Sequence, residues 1–151
     1  MTTNLEPITI LMADDDPDDR MLVEDAFEEV NLENTFAFVE DGEQLMDYLH
    51  QRGAYSELAG SPQPGLILLD LNMPKKDGRQ ALREIKDDLK LRSIPVVILT
   101  TSQAEEDILR SYDLGANSFI VKPVTFDKLV DIIHKVTDYW FQIVRRPSDV
   151  R

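Results

Sequence analysis

Five short apolar runs recur along the chain, separated by segments with a different spacing of apolar residues. Four of the runs are rich in branched apolar side chains, as expected for strands that are buried on both faces of a parallel sheet. The remaining run alternates apolar and polar residues, as a half-buried edge strand does. In chain order the runs cover residues 8–13, 35–40, 65–70, 94–100 and 117–122, and the alternating one is 35–40.

The segments that follow these runs carry apolar residues three or four positions apart, which is typical of helices with one buried face. The clearest groups are Val23, Ala26, Phe27 and Val30; Leu45, Tyr48 and Leu49; Leu82, Ile85 and Leu89; Ile108, Leu109 and Tyr112; and Leu129, Ile132, Ile133 and Val136. Alternating strands and helices predict an α/β fold, with a parallel sheet covered by helices on both faces and right-handed crossovers. Residues 51–65 are predicted to form a long irregular connection.

Composition narrows the classes of function. The chain has 151 residues, 42% of them hydrophobic, which suits one domain with a sizeable core. Its formal net charge of −13 argues against nucleic-acid binding, which needs clustered Lys and Arg. There is no cysteine for a disulfide or a thiolate metal site. With neither a signal-peptide pattern nor an apolar run near the ~20 residues of a membrane span, we expect a cytoplasmic protein without membrane partners.

Carboxylates stand directly after two of the predicted strands. Asp14 and Asp15 follow the first run, and Asp70 ends the third. Because ligands of such sheets bind beyond the carboxyl ends of the strands, these side chains are expected to share one crevice. They would repel one another unless a hard divalent cation such as Mg²⁺ neutralised them, so the sequence predicts a metal site. The neighbouring Asp16, by contrast, precedes Pro17 as a helix N-cap would.

A hydroxyl and an ammonium group follow two further strands. Thr100 closes the run 94–100, and Lys122 closes the run 117–122. Mg²⁺ commonly binds through one or two carboxylates plus a phosphoryl group, which a lysine and a hydroxyl also contact. The joint placement of these groups after four strands therefore suggests phosphoryl transfer.

The stretches that carry these residues resemble the receiver domains of bacterial two-component response regulators. They are ADDDP (13–17), LLDLNMPKKDG (68–78), LTTS (99–102) and SFIVKP (118–123), in the family's order and over nearly the whole chain. The resemblance implies a flavodoxin-like doubly wound fold of five βα units, with a five-stranded parallel sheet in the order 2-1-3-4-5. It also implies a phosphoacceptor that catalyses its own phosphotransfer and dephosphorylation and is otherwise not an enzyme.

The resemblance further implies which residue is phosphorylated and which residues bind Mg²⁺. Asp70 is the phosphoacceptor, which attacks a phosphohistidine of a sensor histidine kinase to form an acyl phosphate. Asp15 binds Mg²⁺ directly, Asp14 holds it mostly through water, and Asn72 gives its backbone carbonyl.

Three residues after the later strands match the family's activation machinery. By resemblance, Lys122 pairs with the phosphoryl oxygens and Thr100 hydrogen-bonds one of them after activation. Phe119 matches the aromatic switch, although tyrosine is commoner there, so any hydrogen bond from a phenol hydroxyl is absent.

The end of the chain extends the apolar spacing of the last predicted helix. Trp140, Ile143 and Val144 continue it, and this aromatic tail is similar to that of the single-domain regulators paired with bacterial phytochromes. We therefore divide the chain into a receiver domain (1–136) and an aromatic extension (137–151), and expect a bacteriophytochrome kinase as partner. We also expect a homodimer through the fourth helix, fifth strand and fifth helix, although the tail would alternatively cap its own domain.

Two other classes of protein share part of this pattern. A haloacid-dehalogenase-type phosphatase uses an aspartate nucleophile and Mg²⁺ after its first strand, and Asp14 with Asp16 fits its D-x-D pair. That alternative places the covalent phosphate near Asp14 instead of Asp70. A flavodoxin-like electron carrier would share the fold, but its first loop needs hydroxyls and backbone donors for the FMN phosphate, and here that loop is anionic.

Overall fold

A computed structural model of the protein describes residues 9–29, 35–71, 73, 75–100, 118–121, 126–127, 130–131 and 134, with the backbone alone at positions 35, 100 and 118–121. The elements are β1 (Thr9–Ala13), α1 (Pro17–Glu29), β2 (Thr35–Val39), α2 (Gly42–His50), a 3₁₀ helix (Gly53–Leu58), β3 (Leu66–Asp70), α3 (Gly78–Asp87), β4 (Val96–Thr100) and β5 (Ser118–Val121). Positions 126–127, 130–131 and 134 are also helical. The helix predicted around Ile108 lies outside these residues.

The five strands form one parallel sheet in the order β2-β1-β3-β4-β5. Each neighbouring pair is parallel, and Ala13 pairs with Leu69 where β1 meets β3. The carboxyl ends of the strands therefore lie along one edge of the sheet. The predicted fold class, the strand order and all five predicted strands are confirmed, with strand ends within two residues of those expected.

The sheet separates two groups of buried side chains, because successive residues of a strand point to opposite faces. On one face, residues of β1, β3 and β4 pack with α2 and α3; the helical members are Leu45, Met46, Leu49, Ala81, Leu82 and Ile85. On the other face, Ile10 and Met12 of β1 pack with α1 and with Val130 near the chain's end. Helices therefore cover both faces, as predicted.

An aspartate precedes each of α1, α2 and α3 and caps its first turn. The backbone N–H of Asp18 donates to Asp16 Oδ1 at 2.9 Å, and that of Gln44 donates to Asp41 Oδ1 at 2.8 Å. Asp77 accepts from two N–H groups in the first turn of α3. These bonds satisfy donors that a helix start otherwise leaves without a partner. The predicted N-cap role of Asp16 is confirmed.

One apolar position assigned to a helix was wrong. Leu89 was expected on the buried face of the third helix, but α3 ends at Asp87 and the side chain of Leu89 is 77% exposed. Asp88 turns the chain out of the helix with an extended backbone (φ −94°, ψ 124°) and accepts the N–H of Lys90 at 2.7 Å. Leu91, two residues further on, is buried instead.

The connection 51–65 is only partly irregular. It contains the 3₁₀ helix, in which the ring of Tyr55 packs against Tyr48 of α2 with centroids 5.2 Å apart. Gln51 ties the segment together, because its side chain accepts the N–H of Gly60 and donates to the carbonyl of Ser61. No helix in the described part of the chain is long and apolar enough to cross a membrane.

Candidate functional site

Three carboxylates converge at the carboxyl ends of β1 and β3. Asp14 and Asp15 follow β1 directly, Asp70 is the last residue of β3, and the two strands are neighbours in the sheet. One oxygen from each carboxylate lies within 4.8 Å of the other two. The side chains of Asp14 and Asp70 are buried and that of Asp15 is exposed. The structure thus brings together the acidic residues that the sequence placed in one crevice.

The chemistry of this cluster suits a divalent cation. Two carboxylate charges 4.8 Å apart repel by about 3.5 kcal/mol at an effective dielectric constant near 20, and the burial of Asp14 and Asp70 withholds water that would screen their charges. One oxygen of Asp14 already accepts the N–H of Asp16 at 2.9 Å, which holds that carboxylate in place. The remaining carboxylate oxygens form the hard, anionic donor set that Mg²⁺, Ca²⁺ or Mn²⁺ prefers.

The backbone brings two further strand ends to the same edge of the sheet. Asp70 pairs with Leu99, so Thr100 lies one residue beyond it on β4, and Thr100 itself pairs with Val121 of β5. Lys122 follows Val121 in the sequence. Asn72 and Lys122 lie outside the described residues, as do the side chains of Thr100 and Phe119, so their predicted roles stay predictions.

The backbone around Asp70 is held by close packing at the start of α3. The N–H of Leu71 donates to the carbonyl of Leu99 at 3.2 Å, and the N–H of Gly78 donates to the carbonyl of Leu71 at 3.1 Å. A Cβ at Gly78 would overlap the carbonyl oxygen of Asp70 and lie 2.6 Å from Leu71 Cα. The lack of a side chain at Gly78 therefore lets the start of α3 lie directly against the residue that ends β3.

Sequence reasoning missed the part that the β2–α2 turn plays beside this site. Asp41 is buried at the N-terminus of α2 and lies 3.7 Å from Lys75, in the loop that follows β3. A sequence signal was present, because the pair Asp-Gly opens α2 (Asp41-Gly42) and α3 (Asp77-Gly78) alike. In both places the aspartate caps the helix and the glycine touches backbone of the β3–α3 segment.

Comparison with known proteins gives a consistent result. Residues 10–134 match the response regulator receiver domain family. The chain is 38% identical to the response regulator Rcp1 of Synechocystis, over 94% of this chain and 95% of that protein. The solved structure of the phosphorylated cyanobacterial phytochrome response regulator RcpA is similar to it, with 41% identity, a TM-score of 0.80, and coverage of 89% of this chain and 94% of that one.

A second similar structure bears on the acidic cluster. It is the Mn²⁺-bound form of Rcp1, with 38% identity and a TM-score of 0.78 over 89% of this chain and 95% of that one. The comparisons do not support the haloacid-dehalogenase alternative, since the matched family covers the segments that carry Asp14, Asp70 and Thr100. On fold, acidic cluster and sequence together, the chain belongs to the response regulator receiver domain family.

Proposed function

We propose that the protein accepts a phosphoryl group on Asp70 from a sensor histidine kinase and signals through phosphorylation-dependent contacts with other proteins. The observation that carries this proposal is the meeting of Asp14, Asp15 and Asp70 at adjacent strand ends in a receiver domain. A carboxylate oxygen of Asp70 attacks the phosphorus of a phosphohistidine. The new P–O bond makes an acyl phosphate as the P–N bond breaks, and the electron pair of that bond returns to the imidazole.

Mg²⁺ is the cation that we assign to the acidic cluster. Asp14, Asp15 and Asp70 would hold it together with the backbone carbonyl of Asn72, and it would offset charge on the incoming phosphoryl group. The three carboxylates otherwise repel an anionic donor, so the proposed chemistry depends on their neutralisation. The groups that we assign to catalysis of transfer and hydrolysis belong to this chain and act on its own Asp70, which is why we regard it as a phosphoacceptor and not as an enzyme acting on other molecules.

Residues after the later strands complete the proposed site. Lys122 would pair with phosphoryl oxygens, and Thr100 would donate a hydrogen bond to one of them. Movement of Thr100 would turn the ring of Phe119 inward and so alter the surface near β5. The position of Thr100 beside the strand end of Asp70 supports this assignment.

Likeness to phytochrome response regulators supports a bacteriophytochrome as the cognate kinase. We place the protein in the cytoplasm without membrane or nucleic-acid partners, in keeping with its net charge of −13.

We also assign residues 1–136 to the receiver domain and 137–151 to an extension that joins two copies into a homodimer. The apolar residues Trp140, Ile143 and Val144 support that role, although the extension lies outside the described residues.

The proposal is tested by locating the phosphoryl group. The protein is incubated with Mg²⁺ and acetyl phosphate or a phosphorylated kinase, and the labelled residue is identified by mass spectrometry. Asp70→Asn should abolish labelling, because an amide is too weak a nucleophile. Asp47→Asn, which removes an exposed carboxylate of α2, should label like the wild type. Labelling that persists in Asp70→Asn and disappears in Asp14→Asn would overturn the assignment.

A further inference from the structure

The loop from β3 to α3 contains a backbone conformation that needs support. In the described part of the chain, Lys75 and Gln51 are the non-glycine residues with positive φ, at 62° and 56°. Gln51 follows the last residue of α2, where a left-handed residue is a common way to end a helix. Lys75 lies in mid-loop, five residues after Asp70. Such strain persists only where neighbouring contacts hold it, and it concentrates at functional sites.

The side chain of Lys75 reaches a buried carboxylate on a different part of the chain. Its Nζ lies 3.7 Å from Oδ2 of Asp41, whose side chain is only 6% exposed. The other oxygen of Asp41 accepts the N–H of Gln44 and caps α2. One oxygen of Asp41 therefore caps α2, and the other pairs with the ammonium of Lys75 in the loop that follows Asp70.

A backbone contact reinforces this ion pair. The N–H of Gly42 donates to the carbonyl of Lys76 at 3.1 Å, and a Cβ at Gly42 would overlap that carbonyl oxygen. The ammonium of Lys76 meets both carboxylate oxygens of Glu84 on α3 at 2.8 Å. Lys75 is thus held at the start of α2, and Lys76 is bonded to both α2 and α3.

The base of the loop is closed next to Asp70. Leu71 accepts the N–H of Gly78, and the side chains of Leu71 and Met73 are buried. The described residues of the loop are thus held at its base, beside Asp70, and at Lys75 and Lys76.

We propose that Asp41 and Lys75, with the Gly42–Lys76 backbone bond, form a brace that positions the loop after Asp70 for cation binding. The inference rests on the proposed function, in which the carbonyl of residue 72 is a ligand to the cation. Asp41 is then a positioning residue, since it acts through Lys75 and contacts the loop instead of the cation.

The test compares Mg²⁺ affinities of variants by isothermal titration. Asp41→Asn keeps a good N-cap but removes the charge that holds Lys75. Lys75→Met removes the other partner from a side chain that is 61% exposed, so folding should be little affected. The brace predicts that each variant binds Mg²⁺ about tenfold more weakly, as loss of an outer support of a metal site commonly does. Lys75→Arg should restore an affinity close to that of the wild type.

The sign of the Lys75→Met effect separates positioning from simple charge. If Asp41 and Lys75 acted only through long-range electrostatics, removing the positive charge of Lys75 would tighten Mg²⁺ binding. Removing the negative charge of Asp41 would weaken it. The brace predicts weakening in both, and a double variant no weaker than either single one, because the same contact is lost once. Asp47→Asn is the matched control, since it breaks the exposed Asp47–Arg52 pair further along the same helix.

Each outcome decides the proposal. Effects of opposite sign, or unchanged affinity in both variants, would overturn the brace and leave the proposed function intact. If the wild type bound no Mg²⁺ at the acidic cluster, both would fall. Thermal unfolding followed by circular dichroism accompanies each titration, and should Asp41→Asn fail to fold, the result for Lys75→Met and its rescue by Lys75→Arg decide alone.

Discussion

Replacing Gly78 by alanine should disturb the proposed phosphorylation site through its backbone. The added Cβ would overlap the carbonyl oxygen of Asp70 and lie 2.6 Å from Leu71 Cα, where ordinary contact begins at 3.4 Å. The start of α3 or the end of β3 must therefore move by at least about 0.8 Å, because neither atom belongs to a flexible side chain. Both atoms are part of the segment that carries the proposed phosphoacceptor.

The size of the effect follows from two opposing terms. Overpacking a closely packed position costs about 1–3 kcal/mol. Alanine in place of glycine in a helix interior returns about 0.5–1 kcal/mol, which is an upper limit at Gly78 because it is the first residue of α3. We expect a net loss of about 1–2 kcal/mol, or a fall of about 2–8 °C in Tm for a chain of this length. Misplacing reacting groups by about 1 Å can cost about 100-fold in rate, so phosphorylation should suffer far more than stability.

The assay measures the initial rate of phosphorylation by acetyl phosphate at saturating Mg²⁺, together with Tm. Gly60→Ala is the matched control, because Gly60 has φ 87° and open space around it, in a turn before β3. Its alanine variant should also be destabilised, through backbone strain, yet be phosphorylated at the wild-type rate. If Gly78→Ala lost stability like Gly60→Ala and kept the wild-type rate, close packing under Asp70 would not position the site.

Four further outcomes are expected. Asp15→Ala should weaken Mg²⁺ binding by about tenfold or more, and excess EDTA should stop phosphoryl labelling; labelling that survives EDTA would contradict the assigned cation. Leu69→Ala, at a fully buried position, should cost about 2–5 kcal/mol in urea unfolding, and a much smaller loss would mean that the sheet repacks there. Burial raises the pKa of the Tyr48 hydroxyl above its ordinary value of 10.0. The neutral hydroxyl therefore contributes its full stability below pH 10, and this stability is lost as the pH rises through the pKa of the folded state. Tyr48→Phe should reduce this alkaline loss in pH-dependent unfolding, and an unchanged profile would assign it to other groups. In sedimentation, a chain truncated after Val136 should be monomeric and the full chain dimeric; a full chain that stays monomeric at high micromolar concentration would leave the tail as a cap on its own domain.

The strands and the acidic cluster were predictable because their signals are local. A strand buried on both faces needs an unbroken apolar run, and the carboxylate that ends β3 stands out against it. Asp14 and Asp70 can meet only if β1 lies beside β3. The spacing of apolar residues does not indicate which strands are neighbours. That order came from the family resemblance, and the pairing of Ala13 with Leu69 confirms it.

Contacts made by backbone atoms left a weaker signal. The carbonyl of Lys76 and the left-handed φ of Lys75 belong to residues to which the sequence pattern assigned no role. Leu89 shows the opposite error, since its spacing fitted a helix that Asp88 ends one residue earlier. The conformations at Lys75 and Asp88 depend on few residues, and the bond from Gly42 to Lys76 joins distant backbone atoms, so none of them leaves a periodic pattern in the sequence.

The pairing of β1 with β3 also makes the cation a ligand of the folded chain. Asp14 and Asp70 are far apart in sequence and meet only once these two strands have paired, so an unfolded chain offers no equivalent site. A ligand that binds only the folded state stabilises it by mass action, by about 1.4 kcal/mol at a free concentration ten times Kd. The supply of divalent cation would thus raise the free energy of unfolding of the receiver as well as enable its phosphorylation.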